Sequence, residues 1–181
     1  MILNQAILIF LMMTIPLLYI RLVDGKNLKK IIQELIPVQK SWKKELLGAG
    51  KLLLLMFALS LVLGLATNLI GINDLQKVGE ITNSNLNEVG SWFIFLVMIS
   101  VIAEEIFFRG FLAQKLGAFG SSIIFGGMHY GYGSITELIG AFALGWLIAW
   151  WFLKEKSLTQ PIIAHILYNS IAIISYGLIG A

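Results

Sequence analysis

Three clusters of polar side chains interrupt a chain that is otherwise strongly apolar. They are Glu104, Glu105 and Arg109 in AEEIFFRG, His129 in FGGMHYGYG, and His165 with Asn169 in AHILYNS. Each residue type has a use in hydrolysis. A carboxylate can take a proton from water, and an imidazole can orient that water or shuttle its proton. Amide and imidazole N–H groups can donate to a developing oxyanion. Together the set could cleave a peptide bond.

Spacing sharpens the assignment. Glu105 and Arg109 are four apart with the acid first, the favourable order for an ion pair on one helix face. A buried bridge that fixes the helix accounts for these two as well as a catalytic role does. Glu104 projects about 100° away around the same helix and has no partner at three or four residues, which suits a general base or proton relay. His129 alone is a weak signal, because a single imidazole on an apolar helix is commonly a hydrogen-bonded core residue. His165 and Asn169 are also four apart and share a face.

The surroundings are a membrane. Of 181 residues, 58% are hydrophobic and only 13% charged, against about 25% charged in soluble domains. So few charges cannot clothe a water-facing surface, which excludes a soluble enzyme, a coiled coil and a disordered chain. With no cysteine, disulfides, thiolate metal sites and cysteine nucleophiles are excluded. Apolar runs at 2–20, 52–72, 92–116, 118–131, 135–153 and 161–179 give about six spans. All must be helices, because an open sheet cannot cross lipid. The expected fold is therefore all-α: a polytopic transmembrane bundle and a single integral membrane domain. Residues 1–91 supply two spans with their loops, and 92–181 the catalytic core. The first run lacks a basic leader region and a small-residue cleavage site, so it reads as a retained span.

Thirteen lysines and arginines test the count. Eleven fall in the loops after the first, third and fifth runs, and only Lys77 falls on the other side; Arg109 is within a span. The positive-inside rule then places those loops in the cytoplasm of a multi-pass plasma-membrane protein, with both termini outside. The same clustering points to a bilayer surface and not to nucleic acid. Within the first loop, Leu28, Ile31, Ile32, Leu35 and Ile36 recur at helical spacing among lysines, the pattern of an interfacial amphipathic helix that Pro37 should end. The outer segment 73–91 is polar, rich in Asn and Gly, and reads as a solvated loop. At about 1.5 Å per residue, Glu104, His129 and Asn169 all lie roughly 16–18 Å from the cytoplasmic end of their spans, with His165 one turn nearer. One shared site follows. Gly126, Gly127, Gly131 and Gly133 around His129 should allow close helix approach and a bent or re-entrant fourth span.

The ordered set Glu-Glu-x-x-x-Arg, Phe-x-x-x-His and His-x-x-x-Asn resembles the CAAX protease and bacteriocin-processing family, also called Abi, whose eukaryotic relatives are the CAAX prenyl endopeptidases. The resemblance covers the C-terminal half, from Glu104 to Asn169. It implies an intramembrane endopeptidase opening toward the cytoplasm, acting on a peptide or protein that enters from the membrane or that side. It implies that Glu104 and His129 activate a water, that His165 and Asn169 stabilise the oxyanion, and that Glu105 and Arg109 support the site.

Two schemes stay open on residue chemistry alone: a carboxylate-activated water, or a zinc ion held by His129, His165 and a Glu. No H-E-x-x-H helix, Gly-x-Ser-Gly or Gly-x-Gly-Asp motif is present to support other intramembrane protease chemistries. Two rival functions use the same residues. One is a bacteriocin self-immunity protein without proteolysis, and the other is a small ion-coupled carrier, for which no inverted repeat is visible.

Overall fold

The computed structural model describes residues 2–39, 41–90 and 92–179. Every element among them is helical: α1 (Ile2–Leu22), α2 (Leu28–Leu35), α3 (Trp42–Leu69), α4 (Gln76–Val89), α5 (Trp92–Glu104), a π-helical segment (Glu105–Leu112), α6 (Ala113–Met128), a 3-10 turn (His129–Tyr132), α7 (Ile135–Glu155) and α8 (Thr159–Ile179). The all-α class expected from composition is the class observed. Three helices, α1, α3 and α7, are long and apolar enough to span a bilayer. A fourth span is added if α4 and the segment Trp92–Tyr132, which meet at 118°, count together.

α3 has 28 residues and is about 42 Å long, more than the roughly 30 Å hydrocarbon core. Its first turns, with Trp42, Lys43 and Lys44 exposed, therefore belong to the headgroup layer. Glu45 in that turn is buried, and its carboxylate accepts from the Gln39 backbone N–H and the Ser157 hydroxyl, both at 2.6 Å. Leu158 N–H donates to Pro37 carbonyl at 2.8 Å. The basic loops thus fold inward and close that end of the bundle.

α2 is the amphipathic helix its spacing suggested, and it packs one side on the bundle. Asn27 caps it by accepting from Lys30 N–H at 3.0 Å, and it ends before Pro37 as expected. Its apolar residues are divided. Ile31 and Leu35 are buried with Ile20, Ile106 and Phe111, while Leu28 and Ile32 stay exposed. Half of the amphipathic face packs on protein, and half faces outward. Gly110 explains the close approach: a Cβ there would lie 2.3 Å from the Leu35 carbonyl oxygen.

The segment read as a solvated outer loop is instead largely α4. Its polar residues Gln76, Lys77, Glu80 and Glu88 are exposed, while Val78, Gly79 and Thr82 are buried. The Asn and Gly content obscured a one-sided helical pattern. Ser91, the last residue of that expected loop, lies outside the described residues. Asp74 fastens the entry to α4. Its carboxylate accepts from Ser134 Oγ at 2.6 Å, Ile135 N–H at 3.0 Å and Thr136 N–H at 3.1 Å, at the N-terminus of α7, where a negative charge is favoured.

Two outcomes follow. Gly110→Ala should push α2 off the π-helical segment and cost about 1–3 kcal/mol, seen as a lower thermal midpoint in detergent. The bonds to Asp74, Ser134 first, hold its carboxyl well below the usual carboxylate range. A lowered folded-state pKa means the latch contributes fully above the unfolded value of about 3.9 and is lost as pH falls below it. Asp74→Asn should therefore lower the thermal midpoint at pH 7, and its deficit against the unsubstituted protein should shrink between about pH 4 and pH 2.

Candidate active site

The site is built around a wide turn. Glu105–Leu112 is π-helical, a geometry that adds a residue to the turn and recurs at functional sites. The Phe108 carbonyl accepts from Ala113 N–H, five residues on, and also from the buried Ser121 hydroxyl of α6 at 2.9 Å. Nothing in the apolar sequence EIFFRGFL marks this widening.

Glu105 is the hub. It is fully buried, and its Oε1 lies 2.9 Å from Arg109 Nη1 and 2.7 Å from His165 Nδ1. The i,i+4 ion pair expected from spacing is present, but the bond to His165 on α8 is not legible in the sequence. The pair is tight in distance yet poorly aligned. Glu105 Oε2 and the guanidinium nitrogens of Arg109 have no hydrogen-bond partner among the described residues. Arg109 is compensated instead by the nearby charge and by the Phe125 ring, 4.5 Å from its Cζ, a cation–π contact strengthened by burial.

Phe125, the first residue of the Phe-x-x-x-His motif, also organises the histidines. Its ring centroid is 4.7 Å from that of His129 and 6.2 Å from that of His165. His129 Nδ1 lies 2.9 Å from the Phe125 carbonyl. A carbonyl oxygen can only accept, so Nδ1 carries the hydrogen and neutral His129 presents a bare Nε2. The glycines divide by role. A Cβ at Gly126 would lie 2.9 Å from Phe142 Cβ, so α6 and α7 meet there. Gly133 turns the chain at φ +62°, and Gly127 and Gly131 face open space. The expected bend of the fourth span occurs at both ends, at Gly117 (φ 72°) and at the 3-10 turn.

His129, His165 and Asn169 line one cavity of about 220 Å³ between α3, α4, α7 and α8. Glu104 is half-buried at the end of α5. It is within electrostatic range of His165, Glu105 and Arg109 but is not among the described residues that line the cavity. Of the six expected site residues, three line the chamber, two form its buried support, and Glu104 lies beside that support. Glu137 was missed. Its position at the end of an apolar run suits a headgroup-level residue, yet it lines the chamber in the first turn of α7, within electrostatic range of His129. Tyr168, bonded to Ser60 at 2.7 Å, and Tyr132, stacked on His129 at 6.1 Å, were also unforeseen. Each lies three residues after a motif histidine, a helical spacing that could have drawn attention to it.

Each histidine is held at Nδ1, His165 by Glu105 and His129 by a carbonyl, which leaves Nε2, the nitrogen that could ligate a metal, facing the cavity; Glu105 is itself engaged by Arg109. No three His, Asp or Glu side chains among the described residues are grouped as ligands.

A helical membrane bundle with carboxylates, imidazoles and an amide brought to one buried centre is the class this fold and site define. Residues 87–171, a little under half of the chain, match the family model described as type II CAAX prenyl endopeptidase Rce1-like. The resemblance carried by the three motifs is thus borne out over that segment. Neither a curated protein nor a solved structure shows a significant match to the chain.

Breaking the hub should be costly. Arg109→Leu leaves the Glu105 charge buried without its partner and should destabilise the bundle by about 3–5 kcal/mol. Adding Glu105→Gln should recover much of that loss in thermal unfolding, since the stranded charge is then removed.

Proposed function

We propose that the protein is an intramembrane endopeptidase that hydrolyses a peptide bond with a carboxylate-activated water. One observation carries the reading. His129 and His165, from helices far apart in sequence, share the Phe125 ring and line the same cavity with Asn169. An imidazole needed only for packing has no reason to meet a second imidazole and an amide at a chamber wall.

The chemistry distributes as follows. Glu104 takes a proton from the attacking water, and the bare Nε2 of His129 accepts a hydrogen bond from that water to aim it. The water oxygen bonds to the carbonyl carbon, and the carbonyl oxygen becomes an oxyanion. Asn169 donates its amide N–H to it. His165, with Nδ1–H given to Glu105, can donate from Nε2 only as the imidazolium, and Glu105 supplies the counter-charge. The C–N bond then breaks, and the proton held by Glu104 passes to the leaving amine. Arg109 and Phe125 are positioning residues. They hold Glu105 and the two rings and touch no reacting atom. The substrate is a membrane-associated or CAAX-like peptide or protein. The protein resides in the plasma membrane with its basic loops in the cytoplasm and both termini outside.

Glu104→Ala and His129→Ala should each lower cleavage by at least about 100-fold while leaving the protein folded in the membrane. The readout is the set of new peptide termini in the membranes of cells carrying the unsubstituted protein against cells carrying either variant. Unchanged termini in the Glu104→Ala cells remove that residue as the base.

A further inference from the structure

A second cavity, of about 330 Å³, lies at the basic end and shares no lining residue with the chamber. α3 contributes Lys44, Leu47, Gly48 and Lys51 to it, a set that falls on one face of that helix with the glycine between the two lysines. Gly48 is where α8 comes close: an added Cβ would lie 2.1 Å from Gln160 Oε1. That oxygen accepts from Trp151 Nε1–H at 2.8 Å. An indole nitrogen can only donate, which fixes the orientation of the amide. The Gln160 Nε2 hydrogens therefore point away from Trp151, and no side-chain bond among the described residues uses them. Gln160 is 2% exposed and lines the cavity, so a buried donor without a protein acceptor sits beside two lysines. Gln39 closes the loop side, its amide donating to the Glu155 carbonyl at 2.7 Å. Neither Lys44 nor Lys51 takes part in an ion pair among the described residues.

Charge and depth select the ligand. With the Glu155 carboxylate counted, the lining carries two positive charges and one negative, a net +1. A phosphodiester carries one negative charge and accepts well from ammonium and amide donors. α3 exceeds the hydrocarbon core by about 12 Å, or about eight residues. Lys44 then lies in the headgroup layer, and Lys51, about 10 Å further along the helix, lies at the hydrocarbon boundary. Beyond Lys51 the same face continues as Leu54 and Leu61, 71% and 65% exposed. A soluble phosphate has no use for that apolar track, whereas an acyl chain does.

We infer that this cavity binds the headgroup of an anionic phospholipid. Lys44, Lys51 and the Gln160 amide hold the phosphodiester, and an acyl chain lies along Leu54 and Leu61. Trp151 backs the site and packs with Met56 and Ile148, which line the chamber, so the lipid braces the chamber wall from behind.

The full chain, delipidated in a neutral detergent, is titrated with dioleoyl phosphatidylglycerol, and the complex carrying one lipid is measured by native mass spectrometry. Dioleoyl phosphatidylcholine, with the same chains and no net charge, and inorganic phosphate are the comparison probes. Both lysines are exposed, so their substitution leaves the packing intact. Lys44→Gln and Lys51→Gln should each weaken phosphatidylglycerol binding about tenfold, the loss of one charge-assisted hydrogen bond. Lys43→Gln and Lys29→Gln remove the same charge from exposed positions outside the cavity and should leave binding unchanged. Phosphatidylglycerol should raise the thermal midpoint of the unsubstituted protein but not that of the variant carrying both Lys44→Gln and Lys51→Gln. Equal losses in Lys43→Gln and Lys51→Gln overturn the inference, because the lysines then act only as a diffuse basic surface. Phosphatidylcholine binding as tightly as phosphatidylglycerol overturns it too. Displacement of the lipid by inorganic phosphate at equal concentration does the same, and marks a soluble-anion site. None of these readouts involves cleavage, so the endopeptidase reading stands or falls separately.

Discussion

Glu105 carries a charge in the least hospitable part of the molecule, and much of the architecture can be traced to keeping it there. A lone carboxylate in hydrocarbon is costly enough that it must be paired or neutralised. Here the pairing is threefold in kind: the Arg109 guanidinium from the same segment, the His165 ring from α8, and, through Arg109, the face of Phe125. These contacts tie the π-helical segment to α6 and α8 at one level. The widened turn then has a physical cause. Glu105 and Arg109 are buried together within it, and Ser121 adds a second bond to the Phe108 carbonyl that Ala113 N–H already uses.

That arrangement separates support from chemistry. Glu105 and Arg109 are sealed from the chamber, whereas His129, His165 and Asn169 face it. His165 belongs to both layers, one ring nitrogen fixed by Glu105 and the other left for the cavity. His129 is fixed in the same way by a carbonyl. A ring nailed at Nδ1 and free at Nε2 has a defined tautomer and direction, which is what a hydrolytic site asks of an imidazole.

The legible part of this design was the part written in periodicity. Helix content, the Glu105–Arg109 pair, the shared face of His165 and Asn169, and the break after α2 all follow from spacing of three or four residues. Less legible was anything set by contacts between helices. The bond from Glu105 to His165 joins residues 60 apart, and no single-chain pattern encodes it. α4 was hidden because Asn and Gly mark loops on average, while its buried Val78, Gly79 and Thr82 are small or polar enough to leave no apolar stripe. Glu137 was hidden by its position, since an acid at the end of an apolar run usually marks the headgroup level. Only the fold shows that the α7 N-terminus lies under α4.

The cavity also bears on stability. A cavity in a bundle forfeits dispersion contacts, and the surrounding packing must offset that loss. One apolar cluster, around Phe152 and Leu158, takes in Ile31 and Leu35 of α2 at the basic end, while another, around Leu52 and Trp151, continues through Met56 and Ile148 to the chamber wall. The opposite end is held by polar ties to Asp74 and by α4 packing on Tyr176. Hydrogen bonds that water can replace hold that end less firmly than burial holds the other, because local opening follows the least buried contacts. His165, tied at Nδ1 to the buried Glu105, keeps its ring orientation through such an opening.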